Sequence, residues 1–388
     1  MDVETELNNL FSSIRGNPSK TDNFKRIYWM CENNISDEVK IMLLSLRSLT
    51  IFKYHLKNWN PEKPVKAITE NLKLILFLAE KLPELKYQVL AKSRYFTEVL
   101  RIYNNCLKYL FERKQEEIDE NCMLSLALSY VSKYAVKFCI NNKVNTMSSF
   151  GQQYFKQALS FLRHVKVEFV RNPNNCVYLL ILTCTVNAMM SKFSPYKSLF
   201  VDLNGIQFCL NSLSDSYKNK ITILQTIYYD LRILSILENF VDDPYFSQNK
   251  MIITGKLIKY LQCNGEQILG STLTKEGNWV FQFICSIIMK MARSIKGFKK
   301  DIYELGVKQL FVSFLNKYPY GTCAKTIFTT LLVLEDINES VEGGKVMDIY
   351  KIMSECERLS SILILSKMYD ISTKDKNYSA AQDLQEVI

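Results

Sequence analysis

Hydrophobic and polar positions alternate with the period of an α-helix across residues 301–337. Apolar residues recur every three or four positions and form one face: Leu305, Leu310, Phe311, Phe314 and Leu315. Residues 318–321 break this pattern, because proline removes a backbone donor and glycine tolerates turn dihedrals. A second helix is predicted from 322 to 337, with apolar residues around much of its circumference. Such a helix needs neighbours on two sides.

The same pattern, a medium helix, a turn and a longer, more apolar helix, occurs several times along the chain. The predicted pairs are 93–114 with 121–138, 200–215 with 220–241, 251–263 with 278–293, and the pair in 301–337. The period of roughly 40–55 residues is typical of helical repeats. One unit cannot bury its apolar face alone, but stacked units can. Since alternation of the strand type is scarce, the sequence predicts an all-α fold.

Four segments carry a resemblance to a known fold family. YELGVKQLFVSFL (303–315) resembles the second helix of an armadillo repeat, and DLNGIQFCLNSL (202–213) is a looser match, with Cys209 at the leucine position. TCTVNAMM (183–190) and SILENFV (235–241) resemble the third helix, in which an asparagine sits among apolar residues. The resemblance to the armadillo-like (ARM and HEAT) family implies a right-handed α-solenoid of stacked helical repeats. HEAT-type repeats or a non-repetitive helical bundle are the alternatives.

We predict one armadillo-like domain over residues 1–371, with capping helices in 1–60, and a mobile tail over 372–388. The first helix is predicted within residues 1–15, as an N-terminal cap or a partner-binding helix. Its apolar face comprises Leu7, Leu10, Phe11 and Ile14. Further helices are predicted over 24–33, 37–58, 65–82 and 345–371 (a pair). Loops are predicted over 141–149, 172–175, 240–250 and 265–277.

The resemblance also implies a row of equivalent positions on the third helices. These positions are Lys133, Asn187, Asn239, Lys290 and Asp336. In the family this row lines a concave groove, where an asparagine amide supplies a donor and an acceptor to an extended peptide. Lys and Asp at some positions, and Thr183 and Ser235 where a tryptophan is common, argue against import-signal binding of the karyopherin kind. The alternative is that both asparagines are buried structural amides.

The chain carries 49 Lys and Arg against 39 Asp and Glu, a net charge of +10, mostly spread singly over helices. One tighter cluster contains no acid: Lys290, Arg293, Lys296, Lys299 and Lys300. Cations at a helix C-terminus interact favourably with the helix dipole, which is one explanation. The other is a basic patch for an acidic peptide, nucleic acid or phosphate.

Catalytic and metal chemistry has little support. The two histidines, His55 and His164, lie on separate predicted helices without a nearby Cys or Asp signature, and Gly343-Gly344-Lys345 lacks the upstream glycine of a phosphate loop. The 11 cysteines have no CxxC spacing, which favours buried free thiols in a reducing compartment. Those within predicted helices are Cys106, Cys139, Cys184, Cys209 and Cys285.

Neither a secretory signal nor an apolar run of about 18 residues is found, so an intracellular protein, nuclear or cytoplasmic, is expected. The sequence therefore favours a non-enzymatic scaffold or adaptor without a cofactor. It would bind protein partners, possibly an extended or acidic segment, through the groove. The alternative is a nucleic-acid-associated protein that uses the basic patch at 290–300.

Overall fold

The fold is taken from a computed structural model of the 388-residue chain. The structure describes residues 3–16, 21–32, 36, 39, 43, 45–57, 65–81, 90, 94–112, 118–141, 145–164, 173–213, 223–270, 274–318 and 322–334. Within these ranges there are 17 α-helices, one short 3-10 helix and one two-residue strand pair. The prediction of an all-α fold is confirmed. The predicted tail, the helical pair at 345–371 and Asp336 lie outside the described residues.

The chain forms two compact units, and the first comprises residues 1–202. Its helices are α1 (Val3–Gly16), α2 (Thr21–Glu32), α3 (Leu46–Lys57), α4 (Val65–Lys81), α5 (Tyr95–Glu112), α6 (Ile118–Lys137), α7 (Ser149–His164), α8 (Pro173–Lys192) and α9 (Pro195–Asp202). Between α6 and α7, β1 (Ile140–Asn141) pairs antiparallel with β2 (Thr146–Met147), with Ile140 opposite Met147. This pair lies within the loop predicted over 141–149.

The first unit has two rows of helices. The odd-numbered helices form one row, in which α1 contacts α3, α3 contacts α5 and α5 contacts α7. The even-numbered helices form the second row, α2 to α4 to α6 to α8. The two rows pack together through the pairs α1–α2, α3–α4, α5–α6 and α7–α8, among others. Every helix between the ends of a row therefore has a neighbour on each side, as the apolar circumference of the longer helices predicted.

The second unit begins at Leu203. Its described helices are α10 (Gly205–Ser212), α11 (Ile223–Leu237), a 3-10 turn (Glu238–Phe240), α12 (Pro244–Gln248), α13 (Lys250–Gly270), α14 (Thr274–Ser294), α15 (Phe298–Glu304), α16 (Val307–Lys317) and α17 (Thr322–Leu334). Here α11, α14 and α17 lie side by side and form the second row of this unit, while α13 contacts α16 in its first row. The pairs α10–α11, α13–α14 and α16–α17 also pack together.

Aromatic side chains with satisfied hydroxyl groups fill much of the first core. Tyr134 is buried and donates to the carbonyl of Leu72 (2.9 Å), while Tyr95 donates to the Asn71 side chain (3.1 Å). Burial of a phenol is favourable only when its hydroxyl finds such a partner. At the N-terminus, Phe11 packs edge-on against Phe52 of α3 (centroids 5.7 Å apart), and the predicted apolar face of α1 is buried.

Three of the predicted loops were wrong in part, because they contain helical residues. In two of them a turn residue begins a helix. In the predicted loop 240–250, the Asp243 side chain accepts from the Tyr245 N–H (2.9 Å) and Pro244 occupies the first turn of α12. Aspartate at the N-cap and proline at N1 are favourable helix starts. Likewise, Pro173 begins α8 inside the predicted loop 172–175.

The third loop, predicted over 265–277, is interrupted because α13 continues to Gly270 and α14 begins at Thr274. Gly265 lies inside α13, where a Cβ would stand 2.4 Å from Cζ of Phe314 on α16. The missing side chain at this position therefore makes room for an aromatic ring from the neighbouring helix, and the glycine does not mark a turn.

Two predicted single helices are divided by residues in the left-handed region. Gly306 (φ +70°) separates α15 from α16 inside the first helix of 301–337, and Asn204 (φ +54°) separates α9 from α10 inside 200–215. Glycine, and to a lesser extent asparagine, adopts this conformation at low cost. Gly306 is therefore the N-cap of α16 and separates it from the helix before it.

Candidate partner-binding faces

Several predicted site residues lie on the outward side of the second row of each unit: Lys133 and Asn187 in the first unit, Lys290 and Arg293 in the second. In the first unit we call this side the aromatic–lysine face, defined by half-buried or exposed side chains. They are Tyr28, Lys73, Phe77, Tyr130, Lys133 and Asn187. In the second unit we call it the α14 face, defined by Trp279, Phe283, Ser286, Lys290 and Arg293.

A cation–aromatic contact joins α2 and α4 on the aromatic–lysine face. The Lys73 ammonium lies 4.1 Å from the centroid of the Tyr28 ring. The same ring packs at a tilt against Phe77, with the two ring centroids 4.8 Å apart. A half-exposed contact of this kind contributes on the order of 0.5–1 kcal/mol. Sequence reasoning missed this cluster, because its members are contributed by two helices far apart in the chain.

Lys133 and Asn187 lie on adjacent helices of this face. Lys133 is exposed, with its ammonium 5.2 Å from the Tyr130 ring centroid, and Asn187 is half-buried on α8. Lys192, the last residue of α8, donates to the Val136 carbonyl near the end of α6 (2.7 Å). The two contacting helices therefore end at one level and run parallel, with Lys133 and Asn187 within about a turn of each other.

Tyr130 shows the local electrostatics of this face. Partial burial raises the pKa of the Tyr130 phenol, and the negative charge of Glu70 on α4 raises the pKa further. The phenol therefore remains a neutral hydrogen-bond donor at physiological pH. The charge of Glu70 on α4 thus acts on a side chain of the neighbouring helix α6.

In the second unit, Asn239 lies in the 3-10 turn that ends α11 and is half-buried. Its amide donates to the Ser235 carbonyl one turn earlier (3.0 Å). One amide proton is thus used within its own helical segment, which accords with the structural-amide alternative for this residue.

Lys290 is engaged by a carboxylate from the preceding second-row helix. Oε1 of Glu238 accepts from Nζ of Lys290 (3.0 Å) and from Oγ of Ser286 (2.5 Å). One turn further along α14, Ser294 donates to Oδ1 of Asp242 (3.1 Å). Ser286, Lys290 and Ser294 are spaced by four residues and therefore lie on one side of α14. This side makes hydrogen bonds with the end of α11 and with the turns that follow it.

The other predicted cations surround the turn between α14 and α15, which we call the basic corner and define as residues 293–300. Arg293, Lys296 and Lys300 are exposed, and Lys299 is half-buried. Partial burial lowers the pKa of Lys299, and the charge of Arg293 lowers the pKa further. Gly297 (φ +78°) makes the turn, while Ile295 and Phe298 are buried beneath it.

Aromatic residues continue the α14 face towards its N-terminus. Trp279 is 43% exposed, and Phe283 follows one turn later. Positions 279, 283, 286, 290 and 293 follow one line on a helix, so this face changes from aromatic through polar to basic over about 20 Å. In the sequence only Lys290 and Arg293 of this line were identified as candidate site residues, and the aromatic positions before them were not.

Other side chains that could support chemistry are committed to packing. His55 is buried, with its ring centroid 4.7 Å from that of Phe24 and Nδ1 3.2 Å from the Asn71 amide. Among the described residues, no group of three His, Cys, Asp or Glu side chains is placed to hold a metal ion. None of the described helices is long and apolar enough to cross a bilayer.

The described cysteines that are free include Cys106, Cys139, Cys209 and Cys285, all buried as predicted. Cys184 is exposed, so the prediction of a buried thiol was wrong there. It follows Thr183, whose buried hydroxyl donates to the Leu179 carbonyl (2.9 Å), and the rotation of 100° per residue turns Cys184 outward.

Comparisons with protein-family models, with curated proteins and with solved structures give no match to this chain. The family resemblance consequently depends on the four sequence segments quoted above.

Proposed function

We propose that this protein is a non-enzymatic, armadillo-like scaffold or adaptor that binds protein partners through the outward side of its second-row helices. The observation that carries the proposal is the side-by-side order of these helices, α2–α4–α6–α8 in one unit and α11–α14–α17 in the other. Such an order presents an uninterrupted set of side chains to an extended partner, which is how stacked repeats form long binding surfaces.

Regular spacing in the second unit supports the repeat interpretation. Lys290 contacts Glu238 and Ser294 contacts Asp242, each across 52 residues of sequence. In the other row, Lys317 on α16 contacts Glu266 on α13 (2.9 Å), 317 − 266 = 51 residues apart. Nearly equal offsets in both rows are what stacked copies of one unit produce. The short helices α12 and α15, each before a longer helix, support units of three helices as in armadillo repeats.

The chemistry of the two faces indicates an extended partner with acidic and apolar side chains. Lysines and aromatic rings alternate on the aromatic–lysine face, and the α14 face changes from Trp279 to Arg293 along one line. Charge complementarity of this kind contributes mainly to specificity and association rate. We place the protein inside the cell, in the nucleus or cytoplasm, with no cofactor required for this role.

Capture of partners from the native host, followed by affinity measurements with the purified partner, tests the proposal. Lys296→Glu with Lys299→Glu reverses two charges of the basic corner. The matched control, Lys256→Glu with Lys259→Glu, reverses two exposed lysines of the first-row helix α13. Since a charge-assisted hydrogen bond is worth about 1.5–3 kcal/mol, we expect the first variant to weaken binding by more than about tenfold. Equal losses in both variants would overturn the proposal.

Asn187→Ala tests the aromatic–lysine face in the same assay. We expect weaker partner binding with little change in the melting temperature. A melting temperature far below that of the parent would assign Asn187 to the core. Normal melting with full affinity would exclude this face as the binding surface.

A nucleic-acid-associated protein is the second candidate, and the exposed cations Arg293, Lys296 and Lys300 of the basic corner favour it, because clustered cations can engage phosphates. Salt dependence distinguishes the candidates. Neutralisation of several phosphates makes affinity fall steeply between about 50 and 200 mM salt, whereas an extended peptide held partly by apolar contacts is less sensitive.

A further inference from the structure

The start of α13 exposes two neighbouring aliphatic side chains. Ile252 is 58% exposed and Met251 is 38% exposed, although most other apolar residues of this helix are buried. One turn further along, no described atom lies within 4 Å of a Cβ built at Gly255, so the surface beside Ile252 is open. Scattered single apolar residues are common on protein surfaces, but adjacent ones indicate contact with an apolar partner or phase.

Lysines follow these residues on the same side of α13. Lys256 and Lys259 are exposed and lie four and seven positions after Ile252. Residues at this spacing share one side of a helix. The open side of α13 therefore combines an aliphatic end with two positive charges in the next two turns.

The short helix α15 extends this surface. Nζ of Lys250, the first residue of α13, lies 2.5 Å from Oδ2 of Asp301 on α15. Lys300 and Tyr303 lie within two positions of Asp301 and are exposed, as is the acidic Glu304. Since Lys250 engages the Asp301 carboxylate, lysines outnumber acids on the remaining surface. We call this surface the α13 edge and define it as Met251, Ile252, Lys256, Lys259, Lys300 and Tyr303.

The residue types of the α13 edge fit a lipid surface better than a protein or a nucleic acid. Its cations are lysines, which are depleted at protein–protein interfaces, where arginine is enriched. Bases of single-stranded nucleic acids stack on aromatic rings, a role that Ile252 and Met251 cannot fill. Anionic lipid headgroups attract lysines, and the acyl chains beneath them accept aliphatic side chains.

We propose that the α13 edge binds the surface of membranes that contain anionic lipids. Ile252 and Met251 enter the boundary between headgroups and acyl chains, and the lysines interact with the charged headgroups. Each lysine near such a surface contributes roughly a fivefold gain in affinity. This contact is peripheral and goes beyond the proposed function, because it requires no protein partner.

Sedimentation of the full chain with lipid vesicles tests the proposal. One set of vesicles contains phosphatidylcholine alone, and the other contains equal parts of phosphatidylcholine and phosphatidylserine. We expect binding to the second set only, and Lys256→Glu with Lys259→Glu should weaken this binding more than about tenfold. The matched control, Lys57→Glu with Lys156→Glu, reverses two exposed lysines of the first unit and gives the same net charge. It should weaken binding less than about threefold, because salt screens distant charges.

Ile252→Ser separates insertion from charge, since it removes an exposed aliphatic side chain and leaves every charge in place. We expect binding to the phosphatidylserine vesicles to weaken at least about fivefold. The matched control, Tyr54→Ser, removes an exposed apolar side chain of α3 in the first unit and should bind like the parent. Both positions are exposed, so both variants should melt close to the parent.

Failure of the parent to sediment with the phosphatidylserine vesicles would overturn the proposal, and so would equal losses in the two charge-reversed variants. Full binding of Ile252→Ser would also overturn it, because adsorption would then depend on charge alone. Poly-glutamate provides the remaining comparison. If it binds through Lys256 and Lys259 while the vesicles leave the protein in solution, the α13 edge recognises an acidic protein and the lipid proposal is wrong.

Discussion

Removal of the Glu238 carboxylate is the sharpest test of the contact that joins α14 to the end of α11. In Glu238→Ala, Ser286 loses its acceptor at 2.5 Å and Lys290 loses its partner at 3.0 Å. The Lys290 side chain is 48% exposed and that of Glu238 is 22% exposed. Solvent screening therefore limits the ion pair to at most about 1 kcal/mol.

The hydrogen bond from Ser286 is more protected, and a bond to a charged acceptor contributes about 1.5–3 kcal/mol. Taking the lower part of that range, we expect Glu238→Ala to lower the free energy of unfolding by about 2 kcal/mol. Glu238→Gln, which keeps an acceptor oxygen, should lose about half as much. Because the Glu238 carboxylate makes only side-chain contacts with α14, through Ser286 and Lys290, the helix content should not change.

Urea denaturation followed by circular dichroism measures these values. The matched control is Glu304→Ala, which removes an exposed glutamate of α15 and should change stability by less than about 0.5 kcal/mol. A double-mutant cycle with Lys290→Ala separates the ion pair from the hydrogen bond. A loss below about 0.5 kcal/mol in Glu238→Ala would refute the reasoning, since the contact would then contribute nothing.

Four further predictions concern the fold and its core. Circular dichroism should report well over half helix, and strand above roughly 15% would contradict the fold. Burial raises the pKa of Cys106 from 9.0 to about 12, so stability should fall as pH rises from 9 towards 12, with a smaller slope in Cys106→Ala. In native protein a thiol reagent should label exposed Cys184 and spare Cys106. Gly151→Ala puts a Cβ 2.2 Å from the Tyr196 hydroxyl and should lower the free energy of unfolding by about 1–3 kcal/mol. Gly255→Ala, whose Cβ has nothing within 4 Å, should leave the free energy of unfolding unchanged or raise it, and chemical denaturation measures both variants.

Helix periodicity was the most reliable signal in the sequence. The apolar positions Leu7, Phe11, Phe311 and Phe314 were predicted to share helix faces, and all four are buried. A buried helix face needs an apolar residue every three or four positions, whichever neighbour covers it, so the pattern can be read from local sequence. Turn residues were less informative, because Pro244 begins a helix and Gly265 accommodates the Phe314 ring.

The candidate site could be predicted only as single residues. Lys290 was predicted to belong to a basic patch, but its partner Glu238 lies 52 positions away in the sequence. The alignment of the helices that brings the two residues together cannot be read from the sequence around either residue. The same applies to Tyr28 and Lys73 on the aromatic–lysine face, which come from two helices.

The sequence by itself thus determined the helical class, the apolar faces and the excess of positive charge, because these depend on residue type and on spacing within one helix. Only the tertiary structure decided which helices lie side by side and which cations meet a carboxylate. Those outcomes depend on packing between segments some 50 residues apart, where shape complementarity selects one register among several that satisfy the same hydrophobic pattern.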